Sequence, residues 1–438
     1  MRQYFAFFVF ISLQLIGLGQ LEGGLPDLDI RAESVILINP DTGTVLYEKN
    51  AHDRRFPASI TKVATALYTL HVYGDKLETS VTAEHDSVAS VSKEAKKRSG
   101  YTLPAHWLEP DATHIGIKKD EVLSLNDLLN GMLIASGNDA SNVIAQYIGG
   151  TVPRFMKSMN AYLKTIGCKN TEFCNPHGLH HPDHCTTAYD MALIAKEAMK
   201  YPVFRDIVKT VHYTRPKTNK QPPTTLIQTN RLLRKGPLYY SNAVGIKTGW
   251  TSDAKHTLVT AAEYKGRRLI AVLIQVKERE ELFKSAKKLF DAAFSQTRLQ
   301  RVLLKAGPQK HILEFPGAAK RIETYLEKDV CVDFFPAEEP ELVCKLFWDK
   351  FALPIKKDQK LGELLISDIH GKKIHSAPLY ALNDVEKKWY YRIPGFFDNS
   401  PKEEKKFEKP LERNYFYKTM ILVAGFFLLT VVLMKMRK

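Results

Sequence analysis

Phe56-Pro57-Ala58-Ser59-Ile60-Thr61-Lys62 runs directly into an apolar stretch in which Val63, Ala66, Leu67 and Leu70 share one face, the repeat of a buried helix. A serine three residues ahead of a lysine puts both side chains on one helix face, so an amine can reach a hydroxyl. Ser90/Lys93, Ser252/Lys255 and Ser285/Lys288 share the spacing, so spacing alone does not single out Ser59. Its context does. Pro57 upstream and the apolar helix downstream put the Ser59 hydroxyl at a helix N-terminus, where backbone N–H groups can stabilise an oxyanion. A buried serine that only caps the helix is the alternative reading of the same residues.

Working outward, residues 34–39 and 45–47 are β-favouring and are joined by Pro40-Asp41-Thr42-Gly43, which predicts a hairpin. Residues 128–135 and 140–148 are apolar helical segments, the second ended by Gly149-Gly150. Residues 257–262 and 269–275 form a second hairpin pattern with its turn at Lys265-Gly266, followed by an amphipathic helix carrying Leu282, Phe283, Ala286, Leu289, Phe290, Ala293 and Phe294. Strands at both ends of a helical middle predict the α+β class, one antiparallel sheet covered by helices. After Gln296 only short strands follow, at 301–304, 312–315, 330–335, 342–348, 362–366 and 373–380, the pattern of a small all-β module. Residues 398–413 are polar and charged with Pro401 and Pro410, a spacer.

A chain of 438 residues with 44% hydrophobic content has room for two cores and is not a largely disordered protein. Met1 and Arg2 precede an apolar run over 5–18, the layout of a secretory signal peptide, with a retained anchor as the alternative. Residues 420–434 are apolar apart from Thr430, preceded by Tyr415-Phe416-Tyr417 and followed by Lys435, Arg437 and Lys438. That predicts a transmembrane helix with its basic tip inside, or an interfacial helix lying in the headgroups. The expected organisation is therefore a signal peptide over 1–24, a catalytic domain over 25–296, a β-domain over 297–386, a charged linker over 387–414 and an anchor helix over 415–435. The net charge of +15 would suit nucleic acid, yet no nucleic-acid motif is present and the basic residues are scattered, with local runs such as Lys93 to Arg98 that read as a solvated loop. An exported, anchored chain faces anionic lipid and acidic wall polymers instead.

Two further strings add chemistry. Ser136-Gly137-Asn138 sits in a tight Gly-containing connection between two apolar helices, unlike the similar Ser124/Asn126 and Ser158/Asn160. Lys247-Thr248-Gly249 occurs once and opens a strand pattern, where Gly249 allows a ligand backbone to approach that edge. With Ser59 and Lys62 they supply a nucleophile, two amines and polar orienting groups, the parts of an acyl-transfer site.

The order and contexts of these strings resemble the serine–lysine signature of penicillin-binding proteins and β-lactamases. The wider text, including Ser136-Gly137-Asn138-Asp139-Ala140, Asn175-Pro176-His177-Gly178-Leu179, Thr186-Thr187-Ala188-Tyr189-Asp190 and Gly245-Ile246-Lys247-Thr248-Gly249, resembles the low-molecular-mass D-alanyl-D-alanine carboxypeptidases. Pro354-Ile355-Lys356-Lys357 with Leu361-Gly362 is similar to their C-terminal β-domain, so the resemblance covers most of residues 30–385. It implies a transpeptidase-like fold and a serine peptidase without cofactor or metal, acting on peptidoglycan stem peptides and acylated by β-lactams. In those roles Ser59 is the nucleophile and Lys62 the general base, while Ser136 and Lys247 relay a proton. Asn138 orients Lys62 and the substrate amide, Thr248 and Gly249 bind the substrate, and backbone N–H groups of Ser59 and Trp250 form the oxyanion hole. The resemblance also implies a bacterial cytoplasmic-membrane location with the globular part on the periplasmic or extracytoplasmic side.

Alternatives within this reading are a D,D-endopeptidase cutting cross-links, a β-lactamase, and a non-catalytic penicillin-binding sensor. No Glu-x-x-Leu-Asn string lies between the second and third motifs to position a deacylating water, which disfavours the β-lactamase. Two departures stand out. Lys255 follows Ala254 where the family usually has glycine, and the stretch 93–114 is longer than the family's, either a specificity loop or an insertion. Cys174, His177, His180, His181, His184 and Cys185 lie close enough together in sequence for zinc, a disulfide or an ordinary loop. Cys331 and Cys344 flank an expected hairpin and are a second candidate disulfide.

Overall fold

The computed structural model describes residues 13–14, 24–74, 76–369 and 371–392. Its central element is a five-stranded sheet in the order Val45–Lys49, Ser34–Ile38, Arg267–Val276, Lys255–Tyr264 and Ala243–Thr251, antiparallel throughout. Alternation along each strand sends neighbouring side chains to opposite faces. Ile36, Ile38, Val259, Ile270, Val272 and Ile274 face a large helical core, while Val35, Leu37, Leu258, Leu269, Ala271 and Leu273 face the helix Arg279–Phe294. Burying both faces of the inner strands is why their sequences read as nearly continuous apolar runs.

Within the helical layer, Lys62–Tyr73 is the innermost helix, packed against Leu125–Ile134, Asn138–Gly149, Val152–Thr165 and Ala188–Ala198. Val63, Ala64, Ala66 and Leu67 are fully buried on it, so the helix is apolar on more than the one face the sequence suggested. Thr65 and Thr69 are buried too, and their hydroxyls bond to the Pro176 and Thr65 carbonyls.

Two expectations are corrected. Residues 93–98 form a helix whose Lys96 is buried, its Nζ bonded to the Trp107 carbonyl and paired with Glu109, where the charge run suggested a solvated loop. Lys247 lies in the middle of the strand Ala243–Thr251, not at its start.

Beyond residue 296 lie Leu299–Leu304, Gly307–Leu313, Ile322–Leu326, Val330–Phe334, Leu342–Trp348, Lys360–Asp368 and Lys373–Ala381. Ile322–Leu326 was not foreseen, because Glu323 and Thr324 dilute its apolar signal. Leu299–Leu304 pairs with Val330–Phe334 and the others form one antiparallel sheet, which Leu13–Gln14 extends along Leu342–Trp348. Cys331 therefore lies opposite Val302 and Cys344 opposite Ile366, on separate strand pairs rather than on one hairpin. Arg267, Glu338 and Asn39 join this module to the central sheet: Arg267 pairs with Glu338 at 2.8 Å, and Asn39 donates to the same carboxylate. Among the described residues no helix is long and apolar enough to cross a membrane, and the expected span at 415–435 lies outside them.

Candidate active site

Ser59 sits in a short 3-10 turn, Ala58–Thr61, that feeds the inner helix. The Thr61 hydroxyl donates to the Ala58 carbonyl at 2.9 Å, and the Thr257 hydroxyl donates to the Pro57 carbonyl at 2.8 Å. His184 accepts the Cys174 N–H on Nδ1 at 3.0 Å, so its Nε2 carries the proton and donates to Thr61 Oγ1 at 2.9 Å. Ala58 is left-handed, with φ of +51°, a strained backbone of the kind found at functional turns. Two glycines let the chain pack this closely. A Cβ on Gly178 would lie 2.0 Å from the Ala58 carbonyl oxygen, and one on Gly249 would lie 2.7 Å from the Ser59 nitrogen.

Lys62 is fully buried, and its Nζ lies 2.9 Å from Ser59 Oγ, 2.7 Å from Asn138 Oδ1 and 2.7 Å from the His177 carbonyl oxygen. Its pKa is held well below the ordinary 10.5, chiefly by burial and then by the charge of Lys247, with Asp139 opposing. A neutral amine has two N–H bonds and one lone pair. Asn138 Oδ1 and the His177 carbonyl can only accept, so both N–H bonds go to them and the lone pair is left facing the Ser59 hydroxyl. This geometry makes the neutral amine an acceptor for the serine proton. Lys247, also fully buried, is pushed down to about 7 by burial, and its Nζ donates to the Thr248 carbonyl at 2.8 Å.

The second and third motifs frame this pair. Ser136, left-handed with φ of +64°, and Gly137 join the helices Leu125–Ile134 and Asn138–Gly149. Asn138 thereby opens the second helix with its side chain on Lys62. On the other side, Thr248 Oγ1 lies 2.8 Å from Thr229 Oγ1, and Trp250 stands 60% exposed at the cleft edge. The strand that carries them is the edge of the sheet, so its outer backbone groups are open to an extended ligand.

The cysteine–histidine cluster is divided among other tasks. Buried His177 is held neutral, with a pKa well below ordinary because of burial and the nearby Lys62 charge. Its Nδ1 accepts from the Leu179 N–H and its Nε2 donates to the His106 carbonyl. His184 is pushed down to about 3 by burial and neighbouring cations, and serves the nucleophile turn. Cys185 lies against the Arg54 guanidinium, and all five cysteines are free thiols, so neither candidate disulfide is formed. Among the described residues no three such side chains converge to hold a metal ion.

Several contributors were not read from the sequence. The His177 carbonyl acts through backbone, so residue identity gives no signal for it. Asp139 accepts from the Ile115 and Ile117 N–H groups and ties the stretch before the second motif to the site. Arg279 lies near His256, the cross-strand partner of Trp250, and its own pKa is lowered by burial and by Arg231 and Arg234. None of these three arginines pairs with a carboxylate among the described residues.

The family profile described as D-alanyl-D-alanine carboxypeptidase matches residues 23–278. The chain is 33% identical over 364 residues to D-alanyl-D-alanine carboxypeptidase DacF of Bacillus subtilis, covering 82% of this chain and 87% of that one. It is 30% identical to DacC of Escherichia coli over 387 residues, covering 84% and 86%. Penicillin-binding protein 5 of Haemophilus influenzae superposes with a TM-score of 0.56 at 27% identity over 83% of this chain and all of that one. The D,D-transpeptidase of Streptomyces K15 superposes at 0.53 with 28% identity, over 62% of this chain and 100% of that one. On the profile match and these identities, the chain belongs to the D-alanyl-D-alanine carboxypeptidase family, peptidase family S11.

Proposed function

We propose that this chain is a serine-type D-Ala-D-Ala carboxypeptidase that removes the terminal D-alanine of peptidoglycan stem pentapeptides and is acylated by β-lactams at the same serine. The observation that carries this reading is the Lys62 lone pair aimed at Ser59 Oγ, with both amine protons held elsewhere. Lys62 takes the hydroxyl proton as Ser59 Oγ attacks the carbonyl between the two D-alanines. The backbone N–H groups of Ser59 and Trp250 receive the oxyanion, and Gly249 keeps the space before the Ser59 N–H clear. As the C–N bond breaks, the proton passes through Ser136 and Lys247 to the departing amine. Thr248 and Gly249 hold the substrate end, and Arg279, with Arg231 and Arg234 beside it, adds a cationic field that favours its carboxylate. Water then enters, Lys62 again removes a proton, and the acyl-enzyme is hydrolysed.

The protein acts outside the cytoplasmic membrane. The apolar run over 5–18 directs export, and the apolar, basic-tipped segment over 415–435 anchors the chain in the bilayer. The deciding experiment on function uses full-length protein in detergent. Ser59→Ala is expected to lose both D-alanine release from a pentapeptide and labelling by a fluorescent penicillin. Labelling that persists in Ser59→Ala would overturn the nucleophile assignment.

A further inference from the structure

The stretch 92–106 crosses the end of the cleft. At one end Lys93 Nζ lies 2.6 Å from Ser252 Oγ and 3.3 Å from Asp253 Oδ2, in the turn that follows the strand bearing Lys247 to Trp250. In its middle the Tyr101 ring packs edge-on against His180 at 5.7 Å and His181 at 5.5 Å, and His180 in turn packs against Phe56 at 4.7 Å, three residues before the nucleophile. At the other end the His106 carbonyl accepts from both His177 and Asn142. Buried Lys96 and the Asp86 bonds to His106 and Trp107 hold the segment rigid. Tyr101 and Lys255, at the two sides of this crossing, are both left-handed, at +62° and +55°, a strained conformation for bulky side chains.

Resting on the proposed carboxypeptidase reading, direction along the edge strand gives the crossing its meaning. The terminal carboxylate lies at Thr248 and the scissile carbonyl at Gly249 beside Ser59. The acyl part of the stem peptide must then run past Trp250 toward Ser252 and Asp253, beneath the strap. We propose that Lys93, Lys97, Tyr101 and His180 form the subsite for the residue preceding the two D-alanines, and that this subsite selects a side chain bearing a carboxylate over one ending in a free amine. Tyr101 is the wall of the subsite. Lys93, Lys97 and Arg98 outnumber Glu94 on the strap, and Lys255 adds a cation across from it, while Asp253 is engaged by Lys93. An ammonium group entering here meets like charge, and a carboxylate meets opposite charge.

The test uses full-length protein and acetyl-X-D-Ala-D-Ala peptides in which X is lysine with its ε-amine free, acetylated or succinylated, giving cation, neutral and anion on one scaffold. The expected order of kcat/KM is succinylated, acetylated, free, spanning about tenfold at low salt and compressing as salt rises. Lys93→Ala/Lys97→Ala is expected to shrink that span to about twofold. Tyr101→Ala should lower all three values, and Tyr101→Phe should restore them. Penicillin labelling at saturation and the melting temperature confirm that each variant is folded with an intact Ser59. A wild-type enzyme indifferent to the charge of X, or an unchanged span in the double variant, would overturn the subsite. No D-alanine released from any peptide by wild type would instead overturn the carboxypeptidase reading.

Discussion

At the scale of single residues, the site depends on two buried amines that the fold keeps from both being charged. Lys62 and Lys247 are fully buried, burial lowers both pKa values, and the charge of Lys247 lowers that of Lys62 further. Lys247 carries a measurable stability signature. Its folded pKa is about 7 against an ordinary 10.5. Between those values the unfolded chain binds a proton that the folded chain has released, so stability rises with pH across that window. Lys247→Met removes the buried amine while keeping its bulk. The variant is expected to melt a few degrees higher than wild type at pH 7 and to lose D-alanine release, with the gain in melting temperature shrinking toward pH 10. Thermal unfolding across that pH range checks it, and a gain that does not depend on pH would contradict the buried-amine account. Ser59 and Lys62 were legible because their chemistry is carried by residue type and spacing. The His177 carbonyl, the third partner of Lys62, was not, because any residue could supply a carbonyl and only the folded chain brings this one to 2.7 Å.

At the scale of elements, close approach between loops rather than helix propensity sets the nucleophile. Gly178 belongs to a turn closed on itself: Asn175 Oδ1 accepts the Gly178 N–H at 2.7 Å, and Asn175 Nδ2 donates to the Leu179 carbonyl at 2.9 Å. With φ of +93° and no room for a Cβ against Ala58, Gly178 fixes the distance between this turn and the serine turn. Gly178→Ala is expected to destabilise the protein by about 2–4 kcal/mol and, by displacing Ser59, to slow penicillin acylation by about 100-fold. Urea unfolding with stopped-flow acylation measures both, and unchanged acylation would show that the turn adapts. The central strands and helices were readable because burial on one or two faces imposes a period of two or of 3.6 on the apolar residues. The short helix at 93–98 was not, since its burial rests on a single lysine inside a charged run.

At the scale of the whole molecule, the catalytic sheet and the β-rich module meet through Arg267, whose guanidinium pairs with Glu338, donates to the Ala293 carbonyl and lies 3.9 Å from the Phe335 ring centre. Ala337 is buried in the same core as the helix Arg279–Phe294, so the module is seated on the sheet face opposite the helical layer. The proposed anchor puts both on the outer side of a membrane. Removing residues 415–438 is expected to move the chain from the membrane pellet to the soluble fraction, whereas the full chain stays in the pellet after a high-salt wash. Release of the full chain by salt alone would point to electrostatic attachment of a protein with charge +15 rather than to an inserted helix.

The sequence by itself determined the strands and helices and the main chemical groups, because periodicity, turn residues and three short strings are local properties of the chain, and its wider text resembled one family. Tertiary structure decided which acceptors bind Lys62 and so where its lone pair points, which histidines are structural, and that all five cysteines remain free thiols. It also turned a charged stretch into a strap across the cleft. Each of these depends on distances between segments far apart in sequence, and those distances exist only after the sheet and the inner helix have packed.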